Sequence, residues 1–237
     1  MARIITLMSG KGGVGKTTST VNLGYAMKDL GAEVILLEGN LSSPNLSLHL
    51  GNTYFPTTLH DVMQGEDKIH NAVYEHNTGL KVVPGDVSID AMKLINFDEL
   101  KKHVQDLHLV SDFVLIDGSP GLGSESEKLL EMSDEVLILT NPDKTSLLDA
   151  KRLINFAKKK KTSIAGLVVN KHHDSKMRKE NIEEFLDHLV LHTIPEDNRF
   201  EKSLEENTPY LHIYPEKEGS EAFYDLARKL TGTGKNR

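Results

Sequence analysis

Residues 9–18 read Ser9-Gly10-Lys11-Gly12-Gly13-Val14-Gly15-Lys16-Thr17-Thr18, which satisfies Gly-x-x-x-x-Gly-Lys-Thr and adds a second lysine directly after the first glycine. The glycines let the backbone turn so that successive N–H groups converge on a phosphate chain. A helix that follows presents the positive end of its dipole to the same anion. In that arrangement Lys16 reaches the β- and γ-phosphates, and the Thr17 hydroxyl ligates Mg²⁺. The flanks supply the context the motif requires. Arg3 to Met8 (Arg-Ile-Ile-Thr-Leu-Met) reads as a short buried strand, and Thr17 to Leu30 carries Val21, Leu23, Ala26, Met27 and Leu30 at helical spacing.

The chain has 237 residues, a formal charge of −7 and no cysteine. That length fits one large α/β domain spanning 1–237, able to bury a substantial core. Without cysteine there is no disulfide, thiolate metal site, iron–sulfur cluster held by thiolates or cysteine nucleophile, which fits a reducing compartment. The apolar start is interrupted by Ser9 and Lys11, and no later run approaches about 18 uninterrupted apolar residues, so a cytoplasmic location is expected. The acidic balance speaks against sequence-independent nucleic-acid binding.

Apolar strand-like runs alternate with amphipathic helical ones. Strands are expected at Arg3 to Met8, Glu33 to Glu38, Leu80 to Pro84, Phe113 to Asp117, Val136 to Thr140, Ala165 to Asn170 and Val190 to Ile194. Helices are expected at Thr17 to Leu30, Thr58 to Gln64, Phe97 to Leu107, Ser124 to Met132, Thr145 to Lys159, Met177 to Leu189, Phe200 to Asn207 and Gly219 to Thr231. Short strands that are apolar nearly throughout predict an α/β fold with a mostly parallel central sheet flanked by helices on both faces.

In such sheets ligands sit at the carboxyl ends of the strands. The second strand ends Glu38-Gly39-Asn40. A central strand ends Phe113-Val114-Leu115-Ile116-Asp117 and is followed by the expected turn Gly118-Ser119-Pro120-Gly121-Leu122-Gly123. A carboxylate after apolar strand residues, facing the phosphate loop, is how P-loop proteins hold the Mg²⁺ shell, which makes Asp117 the metal-side residue.

Further motifs accumulate along the chain: Asn45-Leu46-Ser47-Leu48, Thr58-Leu59-His60-Asp61-Val62, Val83-Pro84-Gly85, Ile116-Asp117, Thr140-Asn141-Pro142, Val169-Asn170-Lys171 and Ile194-Pro195-Glu196-Asp197. With Gly10 to Thr18, they resemble the MinD and ParA family of deviant Walker A P-loop ATPases, and within it the archaeal MinD-like proteins. The resemblance implies an ATP- and Mg²⁺-binding ATPase that forms a face-to-face homodimer around two ATP molecules, with Lys11 contacting the phosphates held by the other subunit. It also implies a protein partner or cargo and a role in positioning cellular components or in cell division. Asn170 and the Pro195-Glu196 turn match the family positions that contact adenine. Asn170 also fits a strand-end turn residue, and Pro195 fits plain chain punctuation. A cation supplied across an interface couples hydrolysis or tight binding to dimerisation, as an arginine finger does.

The departures from the family pattern are as informative. The second strand usually ends with two aspartates one residue apart, the first near the Mg²⁺ shell and the second beside the attacking water. Glu38 and Asn40 occupy those positions here. Glutamate keeps the charge on a longer arm, whereas asparagine can orient a water but cannot take its proton. Binding and dimerisation are therefore expected with weak or absent hydrolysis. The alternatives are a non-hydrolysing ATP-binding scaffold and a ParA-like DNA-partitioning ATPase, the latter predicting salt-sensitive DNA binding with ATP.

Three features fit plainer explanations. Lys158 to Lys161 complements a helix C-terminus. His172-His173-Asp174 reads as a loop near the nucleotide base. The last helix places Ala222, Phe223, Leu226, Ala227 and Leu230 on one face, as packing onto the sheet requires. Lys235-Asn236-Arg237 is too short for an interfacial helix, so autonomous membrane binding is not expected.

Overall fold

The computed structural model describes residues 2–52, 54–88, 95–173 and 177–233; Asp174 of the histidine-rich segment and Lys235-Asn236-Arg237 lie outside them. The strands are β1 (Arg3–Ser9), β2 (Val34–Glu38), β3 (Tyr74–Glu75), β4 (Lys81–Val83), β5 (Phe113–Pro120), β6 (Glu135–Thr140), β7 (Ser163–His172) and β8 (Val190–Pro195). They form one sheet in the order β3-β4-β2-β5-β1-β6-β7-β8, parallel except for the antiparallel β3–β4 pair.

The side-chain period of two divides each strand between two cores. Ile5 and Leu7 of β1, Leu36 of β2 and Leu115 of β5 join a cluster on one face of the sheet. Ile4, Ile35, Leu37, Val114 and Ile116 join a cluster on the other face, and Met8, Ile138, Leu167 and Val169 join a third. The first cluster receives α1 (Lys16–Asp29) and α10 (Glu218–Thr231), and also the short α2 (Leu46–His49) and α9 (Tyr210–Ile213). The second receives α3 (Leu59–Met63), α4 (Phe97–Asp106) and α5 (Ser124–Met132), and the third receives α6 (Lys144–Lys160) and α7 (Lys179–Leu186). The remaining helix, α8 (Arg199–Glu205), follows β8. Strands covered on both faces explain the continuous apolar runs of the sequence.

Helix ends follow local chemistry. Asn96 caps α4 by accepting from the N–H groups of Asp98 and Glu99, and Asp143 caps α6 by accepting from Ser146 N–H. Lys161 and Gly232 turn the chain into the left-handed region after α6 and α10. The basic run at the end of α6 is partly neutralised, since Lys160 is paired with Glu127 and Glu131 of α5. The apolar face of α10 is buried as its spacing requires.

Several sequence expectations are corrected. β5 does not end at Asp117 but continues through Gly118 and Ser119 to Pro120, which pairs with Ser9 after a register shift. Gly118 permits this because a Cβ there would stand 2.6 Å from the Leu7 carbonyl oxygen. The turn begins instead at Gly121, whose N–H donates to the Ser9 carbonyl at 2.9 Å. β7 likewise runs through His172, so that residue belongs to a strand end rather than a loop. The helix expected over 177–189 is reduced to Lys179–Leu186, ended by Asp187 in the left-handed conformation at φ 51°. β3, α2 and α9 are too short to show periodicity and were not expected.

Gly118→Ala is expected to lower stability by about 1–3 kcal/mol through overpacking against the β1 backbone, measured as a reduced midpoint in urea denaturation.

Candidate functional site

The carboxyl ends of β1, β2, β7 and β8 border a cleft of about 590 Å³. Gly12, Gly13, Gly15, Lys16, Thr17 and Thr18 form one wall. Gly13 at φ 77° and Gly15 at φ 91° hold left-handed conformations that glycine adopts without strain. This twist opens α1, whose first-turn N–H groups lack intrahelical acceptors and whose first turn carries no acidic residue. The cradle suits a phosphate chain, because nothing lies within 4 Å of a Cβ placed on Gly12 or Gly13.

A carboxylate lies behind this wall. Asp117 is 1% exposed and accepts from the Thr17 hydroxyl at 2.6 Å and from the Thr20 hydroxyl at 3.3 Å. Its register partner across the sheet is Glu38, which is fully buried. The two Glu38 oxygens accept from the backbone N–H groups of Asn40 at 3.0 Å and of Asn45 and Leu46 at 2.8 Å each. Burial pushes the Glu38 carboxyl up to about 8, and the neighbouring Asp117 charge adds to this against the pull of the three N–H donors. Burial raises Asp117 too, opposed by Lys16 and the Thr17 hydroxyl. The Thr17 hydroxyl with the Asp117 carboxylate behind it is a hard oxygen pair that fits a Mg²⁺ shell, with Glu38, engaged by backbone N–H groups, adding negative charge behind them when ionised.

Asn170, near the end of β7, donates its amide to the Val14 carbonyl at 2.7 Å. A Cβ on Gly15 would stand 2.4 Å from that amide nitrogen. Asn170 therefore braces the glycine loop while lining the cleft with Pro195 and Glu196. Asn40 also lines the cleft, and its side-chain amide donates to the Ser43 carbonyl at 2.6 Å.

Other sequence candidates stand outside the cleft lining. Val14 is buried, and Gly10 packs so closely on α6 that a Cβ would stand 2.4 Å from Asp149 Cβ. The Lys11 ammonium points to the start of α6, 3.2 Å from Thr145 Oγ1 and 3.5 Å from Asp143 Oδ1. Although burial works the other way, hydrogen bonds from Ser146 and Thr145, helped by Lys11, hold the Asp143 carboxyl well below the usual range. Glu38 and Asp117 act from behind the wall through the loop 40–46 and through Thr17.

Sequence reasoning missed part of the lining. Phe200, Leu204 and Phe223 give the cleft an apolar end beside Pro195, suited to a planar base. Phe200 and Leu204 are four apart on α8, a spacing visible in the sequence but readable equally as core. Lys171, in the left-handed region at φ 53°, belongs to the Val169-Asn170-Lys171 motif but was given no role, and His49 left no sequence signal. His172 and His173 line a separate groove with His192, Glu218 and Glu221. Among the described residues, no group of three or more His, Cys, Asp or Glu side chains is placed to hold a metal.

A glycine loop at the head of α1, backed by a buried aspartate of β5 that holds the loop threonine, defines a P-loop nucleotide-binding protein. A family model described as ParA, an NUBPL iron-transfer P-loop NTPase, matches residues 1–231. The chain belongs to this family of ParA and MinD P-loop NTPases. It is 32% identical over 234 residues to an uncharacterized ATP-binding protein of Methanocaldococcus jannaschii, covering 98% of this chain and 89% of the relative. The Pyrococcus furiosus cell division ATPase MinD superposes with a TM-score of 0.92 at 34% identity, covering 99% of this chain and 100% of that one. The septum site-determining protein MinD of Pyrococcus horikoshii, complexed with Mg-ADP, superposes with a TM-score of 0.91 at 32% identity, covering 97% and 96% of the two chains. No helix among the described residues is long and apolar enough to cross a membrane.

Between about pH 4.5 and about 8 the folded metal-free protein holds a proton on Glu38 that the unfolded chain has released, so its stability falls as pH rises through that window. Glu38→Gln, which cannot ionise, is expected to flatten the decline. Urea midpoints across this range, compared between the two proteins, check it.

Proposed function

We propose that this protein is a Mg-ATP-binding switch of the MinD/ParA type that dimerises with ATP bound and works in cell division or the spatial positioning of cellular components. A protein partner or cargo completes that role, and the site of action is cytoplasmic. In this reading the N–H groups of the loop Gly12 to Thr18 and the Lys16 ammonium hold the phosphates. Asn170, Pro195 and Glu196 face adenine. Thr17, Asp117 and Glu38 hold the Mg²⁺ shell, and the ion neutralises charge on the phosphate oxygens when bound.

The observation that carries the reading is the placement of Lys11. It belongs to the phosphate-binding motif, yet its ammonium is directed away from its own cleft onto Asp143 and Thr145. Both it and Asp143 are partly exposed, so the pair is weak and readily exchanged for a stronger anion. A phosphate chain presented by a second copy is such an anion. The absence of cysteine argues against the thiolate chemistry of an iron carrier.

Size-exclusion chromatography with light scattering tests this reading. The natural protein is expected to form a dimer with Mg·ATP and a monomer without it. Lys11→Ala should bind ATP and stay monomeric, whereas Lys16→Ala should lose ATP affinity by at least about tenfold. A natural protein that remains monomeric at saturating ATP would remove the role given to Lys11.

A second reading, a scaffold that binds ATP without turning it over, is favoured by Asn40. Its side chain is engaged with Ser43 and offers no basic group. Phosphate release by the natural protein beside Asn40→Asp separates the two: a gain confined to the variant supports the scaffold, and a substantial natural rate excludes it.

A further inference from the structure

Hydrolysis of a bound nucleoside triphosphate is speeded by a group that orients the attacking water, and further where that group is able to take its proton. The buried carboxylates of β2 and β5 are poorly placed for this. Glu38 has both oxygens engaged by backbone N–H groups, Asp117 holds the Thr17 and Thr20 hydroxyls, and neither lines the cleft. The carboxylates that do line it, Glu196, Asp197 and Glu201, lie on the β8–α8 side beside the apolar end. Asp197 is further engaged by Arg199 and the Tyr210 hydroxyl.

Among the described residues, one group with basic character lines the β2 side of the cleft: His49, the last residue of α2. Leu46 and Leu50 anchor that short helix in the core, at 0% and 5% exposure, and so fix where His49 stands. Its Nδ1 lies 3.0 Å from the Asn45 carbonyl oxygen. A carbonyl only accepts, so Nδ1 carries the hydrogen, and the neutral ring presents its lone pair at Nε2. Burial pushes the imidazole down, against the opposing pull of the Asn45 carbonyl and the Asp117 charge, which favours the neutral, proton-accepting form. The other charged groups of the cleft are Lys16 on α1, Lys171 on β7 and the carboxylates named above.

We propose that His49 orients the hydrolytic water and accepts its proton through Nε2. The inference rests on the ATP-binding reading and adds to it the group through which turnover proceeds although residue 40 is asparagine. The water oxygen bonds to the γ-phosphorus as the bond from that phosphorus to the β,γ-bridging oxygen breaks. ADP leaves with the electron pair, the water's proton passes to Nε2, and the imidazolium returns it to solvent. Asn45 is a positioning residue, because its carbonyl selects the tautomer.

The test uses the full chain, His49→Leu and His49→Gln, with saturating Mg·ATP. Nucleotide affinity is followed by a fluorescent ATP analogue and phosphate release is followed separately, so a natural protein that does not bind ATP counts against the ATP reading, and a natural protein that binds ATP but releases no phosphate counts against His49 alone. Affinity is expected to change by less than about twofold, while phosphate release falls at least about tenfold in His49→Leu. Glutamine keeps a hydrogen-bond acceptor without basicity, so His49→Gln should retain more rate than leucine. The natural rate should rise with pH along a limb whose midpoint lies below the ordinary histidine value, and both variants should lack that limb.

A second readout needs no turnover. The ¹⁵N signal of His49 Nε2, assigned by its loss in His49→Gln, should shift when Mg²⁺ and a non-hydrolysable ATP analogue are added. An unchanged rate in His49→Leu, a retained pH limb in the variants, an unmoved Nε2 signal with nucleotide bound, or no phosphate release from the natural protein at any pH would each overturn the proposal.

Discussion

The hydrogen bond from the Thr17 hydroxyl to the buried Asp117 carboxylate is the constraint around which the rest of the molecule is organised. It joins the first turn of α1 to the central strand β5, whose neighbours are β1 and β2. Once that contact is made, the loop leaving β1 must close over the start of α1 within a few residues. A left-handed backbone at Gly13 and Gly15 closes it. Asn170 supports the same loop from β7 through the Val14 carbonyl, so strands on both sides of β1 converge on one short segment.

Burying this carboxylate has a cost, and the structure shows how it is distributed. Asp117 and Glu38 sit side by side in register on adjacent strands, where two full negative charges would repel in a low-dielectric setting. Glu38 offsets its desolvation by organising the segment after β2: its oxygens collect the N–H groups of Asn40, Asn45 and Leu46. The loop 40–46 and the start of α2 are thus folded around one side chain. Asn40 opens this segment and His49 closes the short helix that follows it, so the placement of both rests on the same Glu38 hydrogen bonds.

Much of the site was legible before any coordinates, because its signals are local. A phosphate-binding loop depends on glycine spacing, a lysine and a hydroxyl residue in consecutive positions, and strand-end residues are marked by the apolar runs that precede them. Asp117 was found in that way, whereas Asn170 and Pro195 were singled out by the resemblance to the MinD and ParA family. His49 escaped because α2 is a single turn, too short for a period, and a lone histidine has no pattern. Phe200 and Leu204 were visible as an apolar pair on one helix face, but the sequence does not distinguish packing against the core from packing against a ligand.

The sequence by itself determined the class of fold, the phosphate loop and the alternation of strand and helix, since each is written in residues adjacent along the chain. Tertiary structure decided the extent of β5 through Gly118 and the attachment of Lys11 to α6 rather than to its own cleft. It also decided the use of Glu38 as an organiser of backbone and the approach of His49 to the cleft. The extent of β5, the attachment of Lys11 and the approach of His49 depend on groups far apart in sequence that meet across strands and helices, whereas Glu38 collects nearby N–H groups that only the folded loop turns toward it. The strength of a charge or the basicity of a ring is set by that enclosure, not by its neighbours in the chain.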